Sequence, residues 1–131
     1  MAYRERPLSP HLQVYRWQVQ MVSSILHRAT GIVLSLGSLL IAWGLVALAS
    51  GSEAWGTFTG FARSPVGLLV LFGWSWSMAY HLLSGVRHLL QDMGVGVALP
   101  VFVKSAWLAI VGSLLLTAML WIAAIAQWGN A

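Results

Sequence analysis

The chain has 131 residues, 59% of them hydrophobic and 8% charged, with a mean hydropathy of +0.79. Soluble domains run at about 45–50% apolar and about 25% charged, which excludes that class and indicates one small bilayer-embedded domain over residues 1–131. The net charge of +4 comes from scattered cations that form no continuous face, which argues against a nucleic-acid partner. With no cysteine there is no disulfide, no Cys-bound zinc, no iron–sulfur ligation and no thioether haem attachment, so any redox cofactor must be held by histidine or by another subunit.

Residues 1–20, MAYRERPLSPHLQVYRWQVQ, are polar and lack an early apolar core followed by a small-residue cleavage site. They predict an uncleaved cytoplasmic segment rather than a secretory signal. A first membrane span is expected over about 21–50, carrying Ser24, His27 and Arg28 in its first turns. GSEAWGTFTGFARSP then reads as a Gly- and Ser-rich loop that Pro65 helps to end. A second span is expected over about 66–90, followed by the link QDMGVGVALP and a third span over about 105–128. Each is long enough for a hydrocarbon core of about 30 Å, so the fold expected is all-α with three transmembrane helices.

Six of the seven Lys and Arg residues lie on one side of these spans. Arg4, Arg6, Arg16 and Arg28 precede or open the first span, Arg87 and Lys104 flank the second link, and only Arg63 lies in the first loop. The bias places the N-terminus in the cytoplasm and the C-terminus outside. Trp17, Trp55, Trp107 and Trp128 stand near span ends, where amphipathic rings favour the interface.

The second span carries Trp74, Ser77, His81, Ser84, Gly85, His88 and Asp92 at spacings of three and four, hence on one face. Polar groups in hydrocarbon are costly unless they meet protein, water or a ligand, so this face is expected to be buried. Seven residues separate the two histidines by about 10 Å along the axis, with His88 near the cytoplasmic boundary and His81 deeper. His81 can be an interhelical hydrogen-bond donor or an axial ligand to haem iron. His88 can be an interfacial polar residue or a cofactor contact.

In the first span, Ser24 and Arg28 are i,i+4 neighbours, and Gly31, Ser35 and Ser38 extend that face with small residues that admit a helix or a flat ligand. Arg28 can snorkel to headgroups or, with His27 and His88, hold carboxylates such as haem propionates at the cytoplasmic rim. Axial counting puts His27 at the level of His88 and leaves no second histidine at the level of His81. A bis-histidine haem then needs its other ligand from another chain.

Two stretches carry a family resemblance. The first is Arg6-Pro7-x-Ser9-Pro10-His11-Leu12 followed by Ser24-x-x-His27-Arg28-x-Thr30-Gly31, and the second is His81-x-x-x-Gly85-x-Arg87-His88-Leu89-x-x-Asp92. Together they resemble the cytochrome b membrane-anchor subunits of succinate dehydrogenase (succinate:quinone oxidoreductase). The resemblance implies that His81 is an axial ligand of haem b, with the second histidine supplied by a partner anchor subunit in a shared helical bundle. It implies that His27, Arg28 and His88 lie near the haem propionates and that Ser24 and Arg28 bind ubiquinone. It further implies iron–sulfur and flavoprotein subunits docked on the cytoplasmic side of a bacterial inner membrane. The chain has no carboxylate pair or nucleophile triad of its own, so succinate oxidation falls to those subunits. Two other readings stand beside this one: a fumarate reductase or menaquinone-linked anchor, and a haem-free structural membrane protein.

Overall fold

The structure, a computed structural model, describes residues 16–128. The motif Arg6 to Leu12 and the cations Arg4 and Arg6 lie outside the described residues, as does the side chain of Trp128. Four helices follow in order: α1 (Val19–Ser50), α2 (Ser52–Arg63), α3 (Pro65–Asp92) and α4 (Leu99–Trp128), with no strand among the described residues. Helices α1, α3 and α4 are each long and apolar enough to cross a bilayer.

Local signals explain the boundaries. Helix α1 has no internal proline and stops at Gly51, whose φ of 111° is open to glycine and strained for other residues. Ser64 caps α3 by accepting a 3.1 Å hydrogen bond from the Gly67 N–H, and Pro65 occupies the first turn, where its missing N–H costs nothing. The turn after α3 uses Gly94 (φ 79°) and Gly96 (φ 75°), and the Val95 N–H closes onto the Leu90 carbonyl at 2.9 Å.

Two segments depart from the sequence reading. The stretch expected as a loop is helix α2. Its Trp55, Phe58 and Phe61 recur every third residue, and the last two pack against Trp43 near the end of α1, with ring centroids 5.1 and 5.3 Å away. That aromatic packing outweighs the low helix propensity of the interleaved glycines and threonines. Helix α4 begins at Leu99, earlier than expected, because Pro100 sits in its first turn.

Helix α3 is central and packs on both α1 and α4. The contact faces are built of small or hydroxyl-bearing residues. On α1 the buried set is Ser23, Thr30, Gly37, Gly44 and Ala47, largely one residue per heptad, and on α3 it includes Ser77, Tyr80, Ser84 and Arg87 at spacings of three, four and three. On α4 it is Ala106, Ala109, Ser113 and Thr117. Backbones can approach closely along such faces, and the hydroxyls return hydrogen bonds to their own helices, as Ser77 does to Gly73 and Thr117 to Ser113, both at 2.8 Å. The large apolar side chains point outward, as suits helices of bilayer length.

Candidate functional site

The site forms where the first turns of α1 cross the second half of α3. His81 reaches from α3 to the α1 backbone: its Nδ1 lies 3.1 Å from the His27 carbonyl oxygen and 3.3 Å from the Thr30 hydroxyl. A carbonyl only accepts, so Nδ1 carries the proton and Nε2 keeps its lone pair. Among the described residues His81 makes its hydrogen bonds through Nδ1 alone.

The three histidines form a short ladder. The His27 ring stacks on His81 with centroids 4.1 Å apart and planes 10° from parallel, and it meets His88 at 4.9 Å and 59°. Axial counting put His27 at the level of His88; the structure instead sets its ring between the two. The reason is helix register, since Ser23 interlocks with Tyr80 and Gly37 with the Trp74 indole, which fixes how far α1 slides along α3. Gly31 gives the ladder room, because a Cβ there would stand a tight 3.1 Å from His81 Cε1. The His27 Nδ1 is buried and has no hydrogen-bond partner among the described residues.

Ser24 and Arg28 are brought together as their spacing predicts. The Arg28 guanidinium donates to the Ser24 hydroxyl at 3.2 Å on the exposed side of α1, next to His27 in sequence. Ser35 and Ser38, expected on the same face, are exposed and bond back to the carbonyls of Gly31 and Ser35. Helix α1 turns the adjacent stripe of Ser23, Thr30, Gly37 and Gly44 inward, one residue away from the stripe of Ser24, Ser35 and Ser38.

Of the stripe read on α3, Ser77 and Ser84 are buried, Trp74, His81, Gly85 and His88 are half-buried, and Asp92 is exposed. Tyr80, which sequence reasoning passed over, and Arg87, read there as a cation at the cytoplasmic boundary, are more deeply placed. Tyr80 is fully buried and its hydroxyl lies 3.0 Å from both the carbonyl and the hydroxyl of Ser23. Its place between Ser77 and Ser84, at spacings of three and four, was the available signal. Arg87, one residue before His88, turns the other way: its Nε donates to Ser105 at 2.9 Å and its guanidinium lies 4.3 Å from the Phe102 ring. It clamps α3 to the start of α4 rather than joining the histidines.

Chemically, the site offers one imidazole with an oriented lone pair, a second whose Nδ1 lacks a partner, and a serine–arginine donor pair. An oriented imidazole nitrogen suits a metal centre, and the Arg28 guanidinium suits anionic oxygens, so these residues fit an iron porphyrin bearing carboxylates. Among the described residues no three histidines or carboxylates converge to cage a metal by themselves.

Comparison with known proteins gives the chain's family. The family described as succinate dehydrogenase/fumarate reductase transmembrane subunit matches residues 3–120. The chain is 42% identical over 114 residues to the succinate dehydrogenase cytochrome b556 subunit of Paracoccus denitrificans, covering 87% of this chain and 88% of that one. It is 36% identical over 120 residues to the cytochrome b556 subunit of Rickettsia felis, covering 92% and 94%. It is also 36% identical over 102 residues to the mitochondrial cytochrome b560 subunit of Sus scrofa, covering 76% and 60%. With three bilayer-length helices and a match across most of its length, the chain belongs to the family of succinate dehydrogenase/fumarate reductase transmembrane subunits.

Proposed function

We propose that this chain is the cytochrome b anchor of a bacterial succinate dehydrogenase, holding half of a haem b site and part of a ubiquinone-reduction site in the cytoplasmic membrane. The observation that carries this reading is His81: its Nδ1 hydrogen is given to the His27 carbonyl at 3.1 Å, which leaves Nε2 as the ligating atom. Haem b, when bound, supplies reversible one-electron chemistry at its iron. His81 would hold that iron through Nε2, and a partner anchor subunit would supply a second histidine. His27, Arg28 and His88 meet the propionates, with Arg28 free to donate from the guanidinium nitrogens that Ser24 leaves open.

A quinone carbonyl gains electron density as it is reduced, so donors fixed beside it favour reduction. Ser24 and Arg28 serve that role on the open face of α1. The cation bias sets this end of α1 at the cytoplasmic surface, where iron–sulfur and flavoprotein subunits dock and oxidise succinate. The chain itself anchors, orients and donates hydrogen bonds.

Deleting this chain from membranes that otherwise carry the complex tests the reading. Succinate-dependent ubiquinone reduction is expected to vanish, with the flavin and iron–sulfur subunits released in soluble form and still reducing an artificial acceptor. Membranes that keep both the bound subunits and quinone reduction contradict the reading.

A further inference from the structure

Thr30 is buried on the face that α1 turns to α3, and its hydroxyl meets three polar atoms. The oxygen lies 2.8 Å from the Leu26 carbonyl, 3.0 Å from the His27 carbonyl and 3.3 Å from His81 Nδ1. A hydroxyl has one proton, and carbonyls only accept, so that proton goes to the α1 backbone. The oxygen then presents a lone pair to His81. The His27 carbonyl, at 3.1 Å, also accepts from the same nitrogen. The Nδ1 hydrogen is shared between two acceptors on α1.

Several hydroxyls bond only to their own helix, as those of Ser77 and Ser113 do. Thr30 does that and also reaches across the helix interface to an imidazole. Resting on the reading of His81 as an iron ligand, we infer that Thr30 is a positioning residue for that ligand. With the tautomer set by the His27 carbonyl, the Thr30 hydroxyl acts as a second acceptor that holds the ring orientation and makes Nε2 a stronger electron donor. Gly31 leaves room for this ring, since a Cβ there would stand 3.1 Å from His81 Cε1.

The consequence is a sign. An acceptor on the outer imidazole nitrogen raises the basicity of the ligating one, which favours the oxidised iron and lowers the haem midpoint potential. Removing the Thr30 hydroxyl shifts that potential upward.

The test uses the assembled four-subunit complex carrying Thr30→Val, Thr30→Ala or Thr30→Ser, with haem content and potential read by optical redox titration. Thr30→Val keeps the volume and removes the hydroxyl; Thr30→Ser keeps the hydroxyl and removes a methyl group. Upward shifts or haem loss in both Val and Ala variants, with Ser at the wild-type potential and full haem content, is the expected result. A potential that follows side-chain size, with Ser shifted alongside Ala and Val unchanged, overturns it, as do three wild-type potentials or haem loss in the Ser variant. A His81→Leu control separates the two levels of the argument. If that variant keeps an unaltered haem, the ligand assignment itself has failed. If it loses the haem while Thr30→Val titrates normally, only the role of Thr30 has.

Discussion

The imidazole of His27 lies flat on that of His81, centroids 4.1 Å apart and planes 10° from parallel. Two imidazoles on opposite sides of one iron instead point their nitrogens at each other across about 4 Å, twice a metal–nitrogen bond of about 2 Å. Stacked rings carry their lone pairs side by side, so His27 is close to His81 yet wrongly aimed to oppose it.

The isolated chain is therefore expected not to form a bis-histidine haem. Expressed alone and purified in detergent, it should bind haem weakly or with altered ligation by absorption and electron paramagnetic resonance. A stoichiometric bis-histidine haem in the single chain refutes this.

Ser24→Ala should lower succinate–ubiquinone reductase activity by about 10-fold, and Arg28→Leu by about 100-fold, because the second removes a charged donor. Electron transfer from succinate to a soluble artificial acceptor should persist in both, since that route bypasses the membrane. Wild-type quinone reduction in both variants means that the 3.2 Å Ser24–Arg28 pair only anchors the interface.

Tyr80→Phe deletes the hydroxyl that joins α3 to Ser23 on α1. Interhelical hydrogen bonds in membranes contribute about 0.6 kcal/mol on average and up to about 1.7, so a loss in this range is expected in the unfolding of the complex. Adding Ser23→Ala should cost little more, because the pair acts as one unit. Fully additive losses place the stability of this contact elsewhere.

Gly37 has no room for a side chain, because a Cβ there overlaps the Trp74 indole. Gly37→Ala is expected to destabilise the α1–α3 pair by about 1–3 kcal/mol. A second change, Trp74→Leu, should restore much of the lost thermal stability by making space. Failure of Trp74→Leu to rescue Gly37→Ala contradicts this packing account.

Hydropathy alone revealed the three spanning helices, and polar spacing anticipated the Ser24–Arg28 contact and a half-buried His81 on the α3 face that meets α1. The inward face of α1 was harder. Two small-residue stripes run one residue apart, Ser24–Gly31–Ser35–Ser38 and Ser23–Thr30–Gly37–Gly44, and periodicity cannot say which one meets α3. Register was also hidden, because it depends on the interlocking of Ser23 with Tyr80 and Gly37 with Trp74, which neither helix encodes by itself. That is why His27 stands closer to His81 than counting suggested. Helix α2 was missed because its glycines and threonines read as loop, while its aromatic residues find partners only once α1 is in place.

The central claim is that His81 ligates haem iron, and the reduced-minus-oxidised absorption spectrum of the assembled complex tests it most directly. The wild-type complex should show a b-type haem band. With His81→Leu that band should vanish or shift markedly while the flavin and iron–sulfur subunits remain bound. A band unchanged in position and intensity in the His81→Leu complex contradicts the assignment.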